Sequence, residues 1–363
     1  MSFRPLYGHA ALRHRLTAAA ADDRLPASIM LQGRRGVGKQ RLGLWLGQYL
    51  LCERALAVRL DEPCGECQHC RYSVRGMHPD LHWFFPRPRL KDGDASPEDV
   101  KADYSEAITE RMEEEGLWAP APGTEGLYVA TVRALVHQAS LRPAMARRAV
   151  FVVGDAERMV SQEGADQAAN AFLKLLEEPP PGTTIILTTS EPGNLLPTIK
   201  SRVVAIRVPT LGHADIDAFL NDAVVARKLA RMPRDEALAR MNGAPGELFA
   251  GESMAAAFTA ARRILDAALQ PSTPDGVAER IKTAARQGVA GARGSFTDTL
   301  EALTHLLHAR AKQMVDVGRD QDARRTASAV VLVEFAKAKA QGNVSPQLLG
   351  ASLLFSLHRT LHP

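Results

Sequence analysis

Gly33-Arg34-Arg35-Gly36-Val37-Gly38-Lys39 lies between the apolar run Ser28-Ile29-Met30-Leu31 and the helix-patterned stretch Arg41-Leu42-Gly43-Leu44-Trp45-Leu46. Strand, glycine loop, helix is the context that a nucleotide-phosphate loop requires; a plain glycine-rich turn is the bland alternative. In such a loop Gly33, Gly36 and Gly38 let backbone N–H groups turn toward phosphate oxygens at a helix N-terminus, and Lys39 brings charge to the outer phosphates. The next position ordinarily carries a Ser or Thr hydroxyl for magnesium, but here it is Gln40. The backbone cradle and Lys39 leave ATP or ADP binding open, while hydrolysis has lost a metal ligand.

A second apolar run, Ala149-Val150-Phe151-Val152-Val153-Gly154-Asp155, ends in an acid that can face magnesium. Asp155 can equally cap the turn Ala156-Glu157-Arg158-Met159, and the sequence leaves both roles open. Farther on, Ala169, Phe172, Leu173 and Leu176 recur at helical spacing as a core face, and Pro179-Pro180-Pro181-Gly182 ends that helix. Thr184-Ile185-Ile186-Leu187-Thr188-Thr189 then reads as another buried strand.

All four cysteines fall together, Cys64, Cys67 and Cys70 at C-x₂-C-x₂-C with Cys52 upstream. Four soft thiolates suit a closed tetrahedral zinc site of structural type. The bacterial iron–sulfur pattern, with its fourth cysteine downstream before a proline, is absent. His69, His78 and His82 are expected to be surface or packing residues.

The stretch Asn170-Ala171-Phe172-Leu173-Lys174-Leu175-Leu176-Glu177-Glu178-Pro179-Pro180 resembles the signature of bacterial clamp-loader AAA+ subunits, and Leu195-Leu196-Pro197-Thr198-Ile199-Lys200-Ser201-Arg202 resembles their Ser-Arg-Cys motif with Val203 in place of the cysteine. The cysteine set is also similar to the zinc module of that family. The resemblance implies that Thr189 or Ser190 is the sensor-1 residue and that Arg202 is an arginine finger acting in trans on a neighbouring subunit. It implies that Asp155 would be followed by a water-orienting glutamate; Ala156 stands there, with Glu157 one residue late. Glu247 or Leu248 occupies the place of the lid arginine in Gly243-Ala244-Pro245-Gly246-Glu247-Leu248.

From the resemblance, the expected fold is an α/β AAA+ P-loop domain, a mostly parallel sheet flanked by helices, with a zinc module, then a small helical lid and an all-α collar. The expected boundaries are 1–209 for the first domain, including the zinc module at about 52–82 and a surface insertion at about 87–126; 210–251 for the lid; and 252–363 for the collar. The implied activity is that of a non-hydrolysing or weakly hydrolysing clamp-loader subunit of the DNA polymerase III holoenzyme, which supplies Arg202 to an adjacent ATPase. Its implied partners are the gamma/tau and delta subunits, the beta sliding clamp and primer-template DNA. The alternative is an active AAA+ ATPase of the gamma/tau type, using Gln40 through water and Glu157 as a displaced base. A zinc-dependent nucleic-acid-binding module is a third reading, without a basic and aromatic stripe to support it.

Composition agrees with a folded chain of two or three domains. With 363 residues, 45% hydrophobic and 24% charged, disorder and collagen-like repeats are excluded, and a net charge of +4 does not announce nucleic-acid binding. No transmembrane-length apolar run and no secretory leader are read, so a cytoplasmic location is expected. The insertion opens at Pro86-Arg87-Pro88-Arg89, includes Glu113-Glu114-Glu115 and closes at Ala119-Pro120-Ala121-Pro122-Gly123; a surface helix with mobile flanks is expected there, without a function. In the C-terminal part, Ser345-Pro346 is expected to start a helix, and Leu300, Leu303, Leu306 and Leu307 to pack a helical core.

Overall fold

Five short runs of β-branched and other apolar residues form one parallel sheet: β1 (Ser28–Gln32), β2 (Leu81–Phe84), β3 (Ala149–Val153), β4 (Thr183–Thr189) and β5 (Val204–Arg207), in the spatial order β2-β3-β4-β1-β5. The structure is a computed structural model that describes residues 2–90, 95–118, 125–159, 166–230, 232, 234–249, 252–287, 293–340 and 345–362. The chain divides into two compact units, Met1–Phe249 and Ala250–Pro363.

In the first unit, β3 and β4 are buried along their whole length, which is why their sequences read as unbroken apolar runs rather than alternating ones. Helices between the strands supply the crossovers that parallel pairing demands. The helix Asp166–Glu177 buries Phe172, Leu175 and Leu176. Ala169, expected on that face, is exposed, because Leu175 rather than the smaller residue completes the apolar stripe. After β5 the chain continues in the helices His213–Leu220, Ala223–Lys228 and Arg234–Met241 and the turn Pro245–Phe249, all within the first unit.

Asp80, just before β2, was not singled out in the sequence. It is buried and its carboxylate accepts N–H bonds from Ala144 (2.6 Å), Met145 (2.9 Å) and Ala146 (2.6 Å), which fix the segment leading into β3. Asp80→Ala leaves three donors without this acceptor, and a loss of about 3 kcal/mol is expected in urea unfolding of the chain. A change within about 0.5 kcal/mol would show the cradle to be dispensable.

The second unit contains Glu252–Leu269, Pro274–Gln287, Arg293–Asp316, Asp320–Ala340 and Pro346–Leu361, packed around Ala261, Ile264, Leu300, Leu303, Leu307, Val333, Leu354 and Leu357. Leu306 is partly buried against the same core. Pro346 begins the last helix as expected, with Ser345 at its N-cap, although the serine side chain makes no capping bond.

Among the described residues, Asp222 in the first unit and Glu301 in the second are held well below the usual carboxylate range. Burial opposes ionisation of Asp222, but hydrogen bonds from Arg4, Tyr7 and the Val224 and Val225 amides outweigh it and bring the group to about 2. Burial likewise opposes Glu301, and His305 and Lys337 bring it to about 2. A depressed folded pKa stabilises above the unfolded value and is lost as pH falls through the folded one. Each unit is therefore expected to lose on the order of 2 kcal/mol between about pH 4.5 and pH 2. Asp222→Asn and Glu301→Gln should flatten that part of the stability–pH curve, as measured by denaturant midpoints.

Candidate functional site

The loop from Gly33 to Gly38 emerges from the C-terminal end of β1. That strand is flanked by β4 and β5, where the strand order reverses, the position at which open parallel sheets bind ligands. Gly36 (φ 74°) and Gly38 (φ 94°) adopt left-handed backbone, which side chains resist and which turns the loop back to the helix Lys39–Leu51. Lys39 is buried, and its Nζ donates to Gly33 O (2.9 Å), Arg34 O (2.8 Å) and Ser190 Oγ (2.8 Å). Burial pulls its pKa down to about 8 against the attraction of Asp155, Glu157 and Glu247. Of the two candidates at the end of β4, Ser190 is the one that touches the lysine, while Thr189 Oγ1 accepts from the Glu191 amide.

Asp155 has φ 47°, left-handed for a residue with a side chain, and makes no capping bond to the turn that follows. Its carboxylate therefore does not cap that turn. Its Oδ2 instead accepts from Gln40 Nε2 at 3.2 Å, so Gln40 faces the acid directly. Glu157 Oε1 accepts from the Ser190 amide at 2.9 Å, and burial, with the charge of Asp155, raises its pKa. Glu247 is buried over the loop. The Gly246 amide donates to Gly36 O at 2.8 Å, and a side-chain carbon placed on Gly36 would lie 3.2 Å from Glu247 Oε1. Arg34 Nη1 donates to Asn242 O at 2.7 Å, tying the loop to the same segment. The candidate nucleotide residues Gly33, Gly36, Gly38, Lys39 and Asp155 thus lie together, with Glu247 packed on Gly36.

Arg202 belongs to a different cluster. Its Nη2 pairs with Glu177 Oε1 at 2.6 Å, and its Nη1 donates to Thr198 O at 2.8 Å and lies 3.3 Å from Ser201 Oγ. The two signature stretches therefore meet through one ion pair, and the arginine also serves the last turn of the helix Pro197–Lys200.

Cys52, Cys64, Cys67 and Cys70 bring their sulfurs within 4.8 Å of one another, with 3.9 Å for both Cys64–Cys70 and Cys52–Cys67. Four sulfurs around one tetrahedral zinc lie roughly 3.8 Å apart, so the set can hold such an ion. Backbone amides of Ala55, Cys64, Cys67 and Cys70 each point at a sulfur at 3.4 Å, as suits thiolate charge. The histidines stay outside this set: His69 and His78 bond each other at 2.9 Å and His82 stacks on Phe151.

A family model described as DNA polymerase III, delta subunit, matches residues 8–212. The chain belongs to this family. It is 27% identical over 210 residues to DNA polymerase III subunit delta' of Bacillus subtilis (strain 168), covering 58% of this chain and 50% of that one. It is 31% identical over 221 residues to subunit delta' of Pseudomonas aeruginosa, covering 60% and 53%. The tau/gamma subunit of Haemophilus influenzae is 26% identical over 210 residues, covering 57% and 24%. The chain thus spans about half the length of the delta' relatives that it matches. Like them it is a delta-prime-type member of the clamp-loader family. Among the described residues no helix is long and apolar enough to cross a membrane.

Sequence reasoning missed the contribution of the 87–126 insertion to this site. Its helix, Pro97–Glu113, starts on a Ser96/Asp99 capping box and buries Val100, Tyr104, Ala107 and Met112. Arg87 holds Asp103 through two bonds of 3.0 and 2.9 Å, and Tyr104 donates to Phe85 O at 2.6 Å. The expected surface helix is therefore seated on the core; the closing stretch Ala119–Gly123 lies outside the described residues. Ser96-Pro97 followed by Asp99 was the legible sign of an ordered helix, whereas nothing local revealed that Arg111 reaches Gln40 with Trp118 packed beside it.

Proposed function

We propose that this chain is a non-hydrolysing clamp-loader subunit that presents Arg202 to the nucleotide site of a neighbouring gamma/tau-type ATPase and so helps load the beta sliding clamp onto primer-template DNA. The observation that carries it is the pairing of Gln40 with Asp155: the carboxamide stands in the magnesium position and engages the acid that a metal needs. Glu157, bonded to the Ser190 amide, and Glu247, buried over Gly36, also weigh against turnover at this chain's own loop. A finger arginine is useful under these conditions, because it acts on a site that the neighbour completes.

Zinc is the proposed resident of the four-cysteine set, where Cys52, Cys64, Cys67 and Cys70 would fill all its positions and leave none for substrate. Its proposed task is structural, to fold the 52–82 segment behind the loop helix. The helices after Pro209 are the proposed lid, and the C-terminal unit is the proposed collar. Exposed Val331, Phe335, Leu348 and Phe355 support a role for that unit in contacts with delta and gamma/tau subunits. The test is a reconstituted loader containing Arg202→Ala, with clamp-dependent ATP hydrolysis and clamp loading as readouts; unchanged rates would exclude the finger.

A further inference from the structure

The insertion helix Pro97–Glu113 reaches Gln40 at the start of the loop helix, and Arg111 in its last turn enters an aromatic cage. Its guanidinium carbon lies 3.3 Å from the Phe85 ring centre, 4.8 Å from that of Trp83 and 5.1 Å from that of Trp118. Trp83 comes from β2, Phe85 follows it and Trp118 belongs to the insertion itself, so core and insertion build the cage together. Aromatic faces attract a cation, and desolvation strengthens the attraction.

The cage opens onto Gln40. Arg111 Nη1 lies 3.5 Å from Gln40 Oε1, which also accepts from Trp83 Nε1 at 3.1 Å, while Gln40 Nε2 donates to Asp155 Oδ2 at 3.2 Å. Gly154 lets the carboxamide pack there, since a side-chain carbon on it would fall 2.5 Å from Gln40 Cδ. Burial works against the charge of Arg111, and Asp155 is the largest attraction that favours it. A chain therefore runs from guanidinium through carboxamide to carboxylate.

Magnesium does not fit this arrangement. It demands near-octahedral oxygen ligation with several waters. The loop supplies an amide oxygen occupied by N–H donors and an amide nitrogen turned toward the acid, with a fixed cation nearby. We propose that Arg111 is the resident cation of this phosphate site, bridged to Asp155 by Gln40, and that the insertion thereby closes the divalent-ion position. The step rests on the degenerate phosphate loop of the proposed function but not on Arg202. It is read on the chain alone and the finger in the assembled loader, so either can fail separately.

The experiment measures the thermal midpoint of the full chain against Mg²⁺ alone, with NaCl matching ionic strength. Wild type is expected to be indifferent to Mg²⁺. Arg111→Ala/Gln40→Thr, which removes the internal cation and restores the hydroxyl, is expected to melt lower and to recover by a few degrees as Mg²⁺ binds the folded form. Adding Asp155→Asn should abolish the recovery. An Asp155-dependent Mg²⁺ shift in wild type, or a cooperatively folded double variant that Mg²⁺ does not rescue, would overturn the proposal. Should the double variant not fold, Mn²⁺ quenching of Trp83 and Trp118 fluorescence in wild type decides: linear collisional quenching supports a closed position, and saturable, Asp155-dependent quenching overturns it.

Discussion

Replacing Arg202 with Ala in a reconstituted loader is expected to lower the clamp-stimulated ATPase rate of the neighbouring site by roughly 10³-fold or more, the usual contribution of a finger arginine to phosphoryl transfer. The magnitude separates catalysis from folding. In the chain alone, Arg202 is paired with a half-exposed Glu177, and losing such a pair should cost no more than about 1 kcal/mol. A variant that keeps its melting midpoint and loader assembly but loses turnover by orders of magnitude therefore acts on the transition state. Arg202→Lys refines the test, because it keeps the charge and loses the planar fork that grips two oxygens. Only partial recovery is expected from it. Full recovery by lysine would assign Arg202 a general electrostatic role, and an unaffected rate in the alanine variant would remove it from the mechanism.

Loss of the four-cysteine metal site is expected to have the second large effect. The purified chain should carry zinc by elemental analysis, and each cysteine-to-serine variant should abolish it. Apparent zinc-binding free energies reach roughly 10 to 16 kcal/mol in small peptides, so a fall of several kcal/mol in the stability of the first unit is expected on stripping. The effect should spread beyond the module. Cys52 directly follows the loop helix Lys39–Leu51 and its sulfur accepts from Ala55 N, while Cys70 is buried in the core of the same unit. Comparing Cys64→Ser with Cys70→Ser separates ligation from packing. Cys64 is only half-buried and Cys70 fully buried, yet shared coordination of one ion predicts similar losses at both. A large loss confined to Cys70→Ser, in a chain without zinc, would reduce the cluster to ordinary core packing.

Much of this molecule was legible because its chemistry is local. The glycine loop after Ser28-Ile29-Met30-Leu31 required a strand, a tight left-handed turn and a helix, and these are present. The C-x₂-C-x₂-C spacing fixes three sulfurs on one turn-and-helix segment, and Cys52 joins them across the end of the loop helix. Uninterrupted apolar runs identified β3 and β4 because both faces of a parallel sheet are covered. The Asp155 alternatives stayed open in the sequence because capping and metal-facing acids are the same residue type at a strand end. The structure shows its carboxylate on Gln40 rather than on the turn that follows.

By itself, then, the sequence determined the phosphate-loop scaffold, its missing hydroxyl at Gln40 and the cysteine set, since each depends on neighbours a few residues apart. Only the tertiary structure decided which distant side chains gather around these residues. Arg111 arrives from 71 positions along the chain to within 3.5 Å of Gln40, Glu247 settles over Gly36, and Arg202 pairs with Glu177 across two separate motifs. No local preference encodes these meetings. They follow from how the insertion, the segment after β5 and the sheet bury their apolar faces, and that packing brings the charges to their places.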